Sequence, residues 1–123
     1  MPDPTGPFRR GDRLLKPSEF SRVGREGHRV AEPAFVLLVS PRTAAGSGSL
    51  QRLGITVSRK VGGAVVRNRV KRRVREWFRR SRPKLRSGID VLVIGRSGAA
   101  GLSGRDTKGI LCRMAHKANA THT

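Results

Sequence analysis

The chain is poor in cysteine and in long apolar runs, and each shortage excludes a class of protein. Its 123 residues include one cysteine, Cys112. An intramolecular disulfide and a cysteine-based metal cluster are therefore excluded, and we expect Cys112 to pack in the core as a small apolar side chain. No run is long enough to span a bilayer, and the N-terminus has no apolar signal-peptide segment. The sequence therefore predicts a soluble, cytoplasmic protein without a membrane partner.

Acidic residues are also scarce, and this shortage bears on catalysis. The chain has 8 Asp and Glu, scattered singly, and 3 His that no regular spacing unites. Phosphodiester hydrolysis by two metal ions needs clustered carboxylates, and a metal-free route usually needs paired His or Lys groups. The sequence therefore predicts no catalytic residue and no metal site in the protein itself. We expect Asp90 to pair with Arg96 or to cap a strand, without a catalytic role.

Positive charge is the most abundant feature of the chain. There are 27 Lys and Arg, which give a formal net charge of +19 and a pI near 12.0. Neutralising the phosphates of a nucleic acid releases condensed counterions, and this release favours binding to a chain of such charge. Arginine in particular suits bidentate phosphate recognition. Nucleic acid is therefore the expected partner.

The segment 64–82 concentrates these charges on one amphipathic helix. It carries nine Arg or Lys and a single acid, Glu76. Steps of 100° place an apolar stripe on one side: Val66, Val70, Val74, Trp77 and Phe78. Cationic rows border both edges of the stripe: Arg67, Lys71 and Arg75 on one side, and Arg69, Arg73 and Arg80 on the other. A merely solvated helix would interleave both signs, so this imbalance favours a polyanion-binding surface.

The remaining elements predict a single α+β domain. A short helix spans Pro17 to Gly27, and a short strand lies near 29–31. Strands at 34–40 and 52–58 flank a Gly/Ser-rich stretch that we interpret as a mobile hairpin loop. A strand at 90–96 follows the basic helix, and Ser103 with Asp106 opens a last helix as a capping box. We expect a mixed sheet of four strands with the basic helix packed on it.

Domain boundaries follow from composition. Residues 1–8 hold three prolines and predict a flexible arm. The folded domain is expected over 9–118, and 119–123 is expected to be a flexible tail.

The ordered motifs resemble those of the protein subunit of bacterial ribonuclease P. The core of the likeness is SRKVGGAVVRNRVKR (58–72), with RLLKPSEFSRVGREG upstream, FVLLV before it and DVLVIGR after it. The resemblance covers roughly residues 13–118. It implies an αβββαβα chain whose βαβ crossover is left-handed, against the usual rule. It also implies that a large RNA subunit cleaves the 5′ leader from precursor tRNA with magnesium, which that RNA mainly holds, while the protein assists.

The resemblance assigns residues to two RNA partners. The single-stranded leader would lie in a cleft that uses Phe20, Lys60, Arg67, Asn68, Lys71 and Arg75. The RNA subunit would contact Arg69, Arg72 and Arg73 on the other side of the helix. Phe20 would stack on an unpaired base, although a core contact with Val23 is an equal alternative from the residues alone. No stable protein partner is predicted.

Three positions depart from the family pattern. Gly24 and Leu38 stand where relatives often have aromatic residues, so stacking in the cleft should be poorer and binding should depend more on charge. Gly63 replaces a common amide residue in the turn before the basic helix, so a hydrogen bond from that side chain is lost. A structural RNA-binding protein of the ribosome or of its assembly is the alternative function, because composition alone does not distinguish the two.

Overall fold

Helices and strands follow one another in the order αβββαβα that the sequence predicts. The structure, a computed structural model, describes residues 12–14, 16–41 and 51–121. Their helices and strands are α1 (Pro17–Glu26), β1 (His28–Ala31), β2 (Phe35–Pro41), β3 (Gln51–Val57), α2 (Ala64–Ser81), β4 (Ile89–Gly95) and α3 (Gly104–Lys117). The predicted arm, 1–8, and nearly all of the Gly/Ser-rich loop lie outside the described residues.

The four strands form one mixed sheet in the order β1-β2-β4-β3. β2 pairs antiparallel with β1 and with β4, whereas β3 pairs parallel with β4. The hairpin that we predicted between β2 and β3 is therefore wrong, because β4 lies between them. β4 is almost continuously apolar and buried, which is typical of a strand with neighbours on both edges and layers on both faces. The left hand of the β3–α2–β4 crossover stays a prediction.

Strand alternation divides the sheet between two apolar layers. Val36, Leu38 and Leu92 point to one face, where they pack with Val23 of α1. The neighbouring positions on β2 and β4 point to the other face and join α2 and α3 in the larger core: Phe35, Leu37, Val39, Val91 and Val93. The architecture is therefore three layers, with α1 alone on one side and the basic helix, α2, on the other.

The helix boundaries follow the local signals in the sequence. Pro17 is the first residue of α1, and Gly27 ends it. The Ser103 hydroxyl accepts a hydrogen bond from the Asp106 amide at 3.0 Å, so the predicted cap of α3 is confirmed. The stripe of α2 is confirmed as well, since Val70, Val74, Trp77 and Phe78 are buried and Val66 packs partly against them.

Two expectations at the C-terminal end differ from the structure. Cys112 is exposed on α3, because its neighbours Leu111 and Met114 occupy the buried side of the helix. Residues 119–121 of the expected tail are packed: Ala120 is 1 % exposed, and its carbonyl accepts a hydrogen bond from the Arg86 amide at 2.8 Å. Thr121 forms an isolated bridge with Leu85. The folded region therefore extends to at least Thr121.

A buried carboxylate ties α1 to the sheet. Asp90 of β4 is fully buried and accepts hydrogen bonds from Arg22 of α1 and from Arg52 of β3, the latter at 2.9 Å through two nitrogens. Arg52 also pairs with Glu19 of α1. These hydrogen bonds, led by those with Asp90, raise the pKa of Arg52. The expected partner of Asp90, Arg96, instead donates to the Glu32 carbonyl.

The substitution Asp90→Asn is expected to destabilise the fold by roughly 2–4 kcal/mol, because it removes the buried anion that two largely buried guanidinium groups share. Asp106→Asn is the matched control, since Asp106 is exposed in the first turn of α3 and forms no ion pair among the described residues. Its cost should stay below about 1 kcal/mol. Urea unfolding in sulfate measures both, and equal losses in the two variants would contradict the structural role of Asp90.

Candidate nucleic-acid interface

A groove of about 220 Å³ runs along the outer edge of β3, between α1 and α2. Three of the residues predicted for leader binding meet there, namely Phe20 from α1 and Lys71 and Arg75 from α2. The middle of β3, at Leu53–Ile55, supplies the floor. An aromatic ring and two cations thus face one concave surface, although they come from opposite layers of the fold.

The floor of the groove requires a residue without a side chain. A Cβ atom on Gly54 would lie 2.8 Å from the Phe20 ring and 2.9 Å from Leu14 Cδ1. Glycine therefore lets the ring lie directly on the backbone of β3. Phe20 is half-buried, with part of its surface packed in the α1-side core and part lining the groove. The two alternatives for Phe20, core contact and groove surface, are both present.

Arg13 also lines the groove, and the sequence analysis missed it. Arg13 forms an isolated parallel bridge with Leu53, and the Leu14 amide donates to the Leu53 carbonyl at 3.0 Å. The segment before α1 thereby occupies the free edge of β3 and brings one more cation to the groove. The only signal in the sequence was a basic residue before an apolar pair.

The cationic row of α2 extends beyond the groove. Lys71 and Arg75 are half-buried, and neither forms an ion pair within the described parts of the chain. Arg67 lies one turn before Lys71, and its Nε atom is buried without a hydrogen-bond partner there. Lys60 and Asn68 are exposed near the start of α2, and neither lines the groove. The structure thus brings together three of the six predicted leader residues.

The opposite edge of α2 presents a second cationic surface. Arg69 donates to the Ala100 carbonyl at 3.3 Å, and Arg73 donates to the Leu102 carbonyl. Both acceptors belong to the segment between β4 and α3, so this segment fixes the direction of the two side chains. Arg72 is exposed between the two edges. The residues predicted for the RNA subunit therefore lie away from the groove, as the helical projection indicates.

The single acid of α2 is neutralised locally. Glu76 accepts hydrogen bonds from Arg79 at 2.7 Å and from Arg80 at 2.6 Å. These two arginines lower the pKa of Glu76 to about 2. Glu76 is therefore charged at neutral pH. It pairs with the two arginines in the last turns of α2 and not with Lys71 or Arg75.

The described residues do not bring together a set of ligands for a magnesium ion. Across 12–14, 16–41 and 51–121, no three His, Cys, Asp or Glu side chains are close enough to hold a metal ion. Asp90, the one acidic residue on the four described strands, is already bound by two arginines. In the same stretches, no helix has the length and apolar character needed to cross a membrane.

Comparisons with known proteins agree on one family. A family model described as Ribonuclease P matches residues 8–119. The chain belongs to the ribonuclease P protein family. It is 40% identical over 112 residues to the ribonuclease P protein component of Limosilactobacillus reuteri, a match that covers 91% of this chain and 93% of the relative. It is 38% identical over 106 residues to that of Halalkalibacterium halodurans, covering 86% and 87%.

Solved ribonuclease P proteins share the fold. The RNase P protein of Staphylococcus aureus superposes with a TM-score of 0.80 at 31% identity, over 90% of this chain and 98% of that one. The RNase P protein of Thermotoga maritima gives 0.72 at 30% identity, over 85% and 96%. The resemblance seen in the sequence is confirmed, and the chain is the protein component of a tRNA-processing endoribonuclease. A ribosomal or assembly role has no support.

The close packing of Phe20 on Gly54 in this ribonuclease P protein can be tested by substituting the glycine. Gly54→Ala should destabilise the protein by about 1–3 kcal/mol and displace Phe20, because the new Cβ overlaps the ring. Gly24→Ala is the matched control: a Cβ there meets nothing within 4 Å, and alanine in a helix is better by about 0.5–1 kcal/mol. Urea unfolding and the NMR shifts of the Phe20 ring measure the effects. Equal stability of both variants would contradict the close packing.

Proposed function

We propose that this chain binds the single-stranded 5′ leader of precursor tRNA in the groove and binds the ribonuclease P RNA subunit with the opposite edge of α2. The observation that carries the proposal is the meeting of Phe20 with Lys71 and Arg75 on one concave surface. Base stacking and a basic track are the two elements that single-strand binding requires. The groove offers an aromatic ring and two cations for these roles, and neither cation is neutralised by a described acid.

The groove suits a flexible strand of variable sequence. A single ring offers a stacking surface that any base accepts, and cations that contact phosphates carry no base preference. Arg13, on the segment that pairs with the free edge of β3, adds a third positive charge. Arg67, Lys60 and Asn68 lie toward the start of α2, where a longer leader would continue beyond the groove. Gly24 and Leu38 add no aromatic surface, so ionic contacts should dominate.

The RNA-subunit surface has a different character. Arg69 and Arg73 are held by backbone carbonyls, so they lose little conformational freedom when they contact phosphates. Arg72 adds an exposed charge beside them. These features support contact with a folded RNA whose phosphates have fixed positions. Magnesium is held mainly by the RNA subunit in this proposal, and the residues of the chain contribute binding and orientation.

The substitution Phe20→Leu separates stacking from packing. Leucine can occupy the space of the Phe20 ring beside Leu14 and Gly54, yet it offers no aromatic face for stacking. We expect the preference of the holoenzyme for precursor over mature tRNA to fall by about 1–3 kcal/mol, the usual contribution of one stacked base. Affinity for the RNA subunit should stay unchanged, and an unchanged melting temperature in sulfate is the control for folding. An unaltered preference would assign Phe20 to packing alone.

A crossed pair of variants tests the division between the two edges of α2. Lys71→Gln with Arg75→Gln should reduce the precursor preference, whereas Arg69→Gln with Arg72→Gln should weaken assembly with the RNA subunit. Each lost phosphate contact should also lower the salt slope of the affected step by roughly one. Filter binding across a salt series measures both steps. Reversed effects would show that the two edges are assigned backwards.

A further inference from the structure

A second cavity lies on the side of α2 that faces α3, away from the leader groove. It has a volume of about 340 Å³ and lies between the middle of α2 and the first turn of α3. Four cations line it, two from each helix: Arg73 and Arg80 from α2, and Arg105 and Lys108 from α3. Arg105 and Lys108 belong to neither set of residues assigned above.

The cations around this cavity are only partly neutralised. Glu76 is the one acid on its wall, and Glu76 is already paired with Arg79 and Arg80. Arg73, Arg105 and Lys108 form no ion pair with any described acid. Arg73 is also held in place, because it donates to the Leu102 carbonyl beside the cavity. The surplus positive charge at the cavity therefore comes from side chains that the fold places there without a neutralising acid.

The first turn of α3 adds to this positive field. The helix begins at Gly104, and Arg73 Nε lies 4.0 Å from the position that a Cβ on Gly104 would occupy. A guanidinium thus lies beside a helix N-terminus, where the partial charge is also positive and anions are favoured. In the described part of the chain the Ser103 hydroxyl accepts a hydrogen bond from the Asp106 amide. The amides of Gly104 and Arg105, in the first turn of the helix, have no acceptor within the helix.

Trp77 lies on the wall of the cavity and is 2 % exposed. The same side chain also lines a neighbouring cavity of about 400 Å³ that includes Leu85 and His116. The cavity between α2 and α3 therefore combines surplus cations with the first amides of α3.

We propose that this cavity binds a backbone phosphate of the ribonuclease P RNA subunit, with Arg105 and Lys108 of α3 as ligands beside Arg73 and Arg80. The proposal rests on the proposed function, and it extends the RNA-subunit surface from α2 to the first turns of α3. A phosphate fits because it is a compact anion whose oxygens accept from guanidinium, ammonium and amide donors together.

The double variant Arg105→Gln with Lys108→Gln tests the site in the full-length protein. Both residues are exposed, and removing cations from a helix N-terminus favours the helix, so the fold should be retained. Arg25→Gln with Arg29→Gln is the matched control, because it removes the same charge from exposed positions that lack ion pairs among the described residues. Arg29 lies on β1, at the edge of the sheet farthest from the leader groove.

Binding to the transcribed cognate RNA subunit is measured across a salt series. The α3 variant should bind about tenfold more weakly, with a salt slope lower by roughly one to two, as expected for the loss of one or two phosphate contacts. The control variant should lose less than about threefold, through long-range attraction alone. In holoenzyme assembled at saturating protein, the preference for precursor over mature tRNA should equal that of the wild type.

The possible outcomes separate this site from the proposed function. If the wild-type protein binds the RNA subunit and the α3 and control variants lose affinity equally, the phosphate site is overturned while the proposed function is not. A loss confined to tRNA affinity in the assembled holoenzyme would also overturn it, since the phosphate would then belong to tRNA. Wild-type protein that fails to bind the RNA subunit would overturn both proposals.

Discussion

The scarcity of acids is the constraint on which the rest of the structure depends. With 8 Asp and Glu against 27 Lys and Arg, each carboxylate can hold only a few of the cations. Of the acids that the structure describes, all but Asp106 form ion pairs: Asp12, Glu19, Glu26, Glu32, Glu76 and Asp90. Most of these pairs join different elements, as Asp90 joins α1, β3 and β4. The acids therefore serve assembly of the fold, and large parts of the surface are left with positive charge alone.

That distribution of acids explains where the two proposed binding surfaces lie. Among the described residues, Lys71 and Arg75 of the groove and Arg73, Arg105 and Lys108 of the α2–α3 cavity form no ion pair with a carboxylate of another element. Their mutual repulsion opposes folding, and a polyanion that binds the native state relieves it. Stability and RNA binding are thus coupled through the same charges. Asp90 matters to the groove as well, because the Arg22 and Arg52 pairs hold α1, and with it Phe20, against the sheet.

The sequence predicted local structure better than it predicted strand neighbours. The stripe of α2, the cap at Ser103 and the turn at Gly27 are signals within a few residues, and each is confirmed. The order β1-β2-β4-β3 depends on β4 entering between strands that come earlier in the chain, and no local signal reports it. The exposure of Cys112 is a matter of helical phase, since the adjacent Leu111 fills the core position.

The candidate site was predictable where one helix carries it. Lys71 and Arg75 follow from helical spacing, because residues four apart share a face. Arg13 could not be found that way, since its place depends on the pairing of the segment before α1 with the far edge of β3. The cavity between α2 and α3 was likewise hidden, because its cations come from two helices whose packing the sequence does not specify.

The two edges of α2 differ in how firmly their cations are held, and this difference matches their proposed partners. On the α3 side, backbone carbonyls at Ala100 and Leu102 fix Arg69 and Arg73 before any RNA arrives, which lowers the entropy lost on binding. On the groove side, Lys71 and Arg75 have no ion pair in the described residues to direct them. Fixed donors favour a folded RNA of constant geometry, whereas adaptable donors tolerate leaders of differing sequence. In the proposed function, one helix therefore presents adaptable cations to a variable leader and fixed cations to a constant RNA.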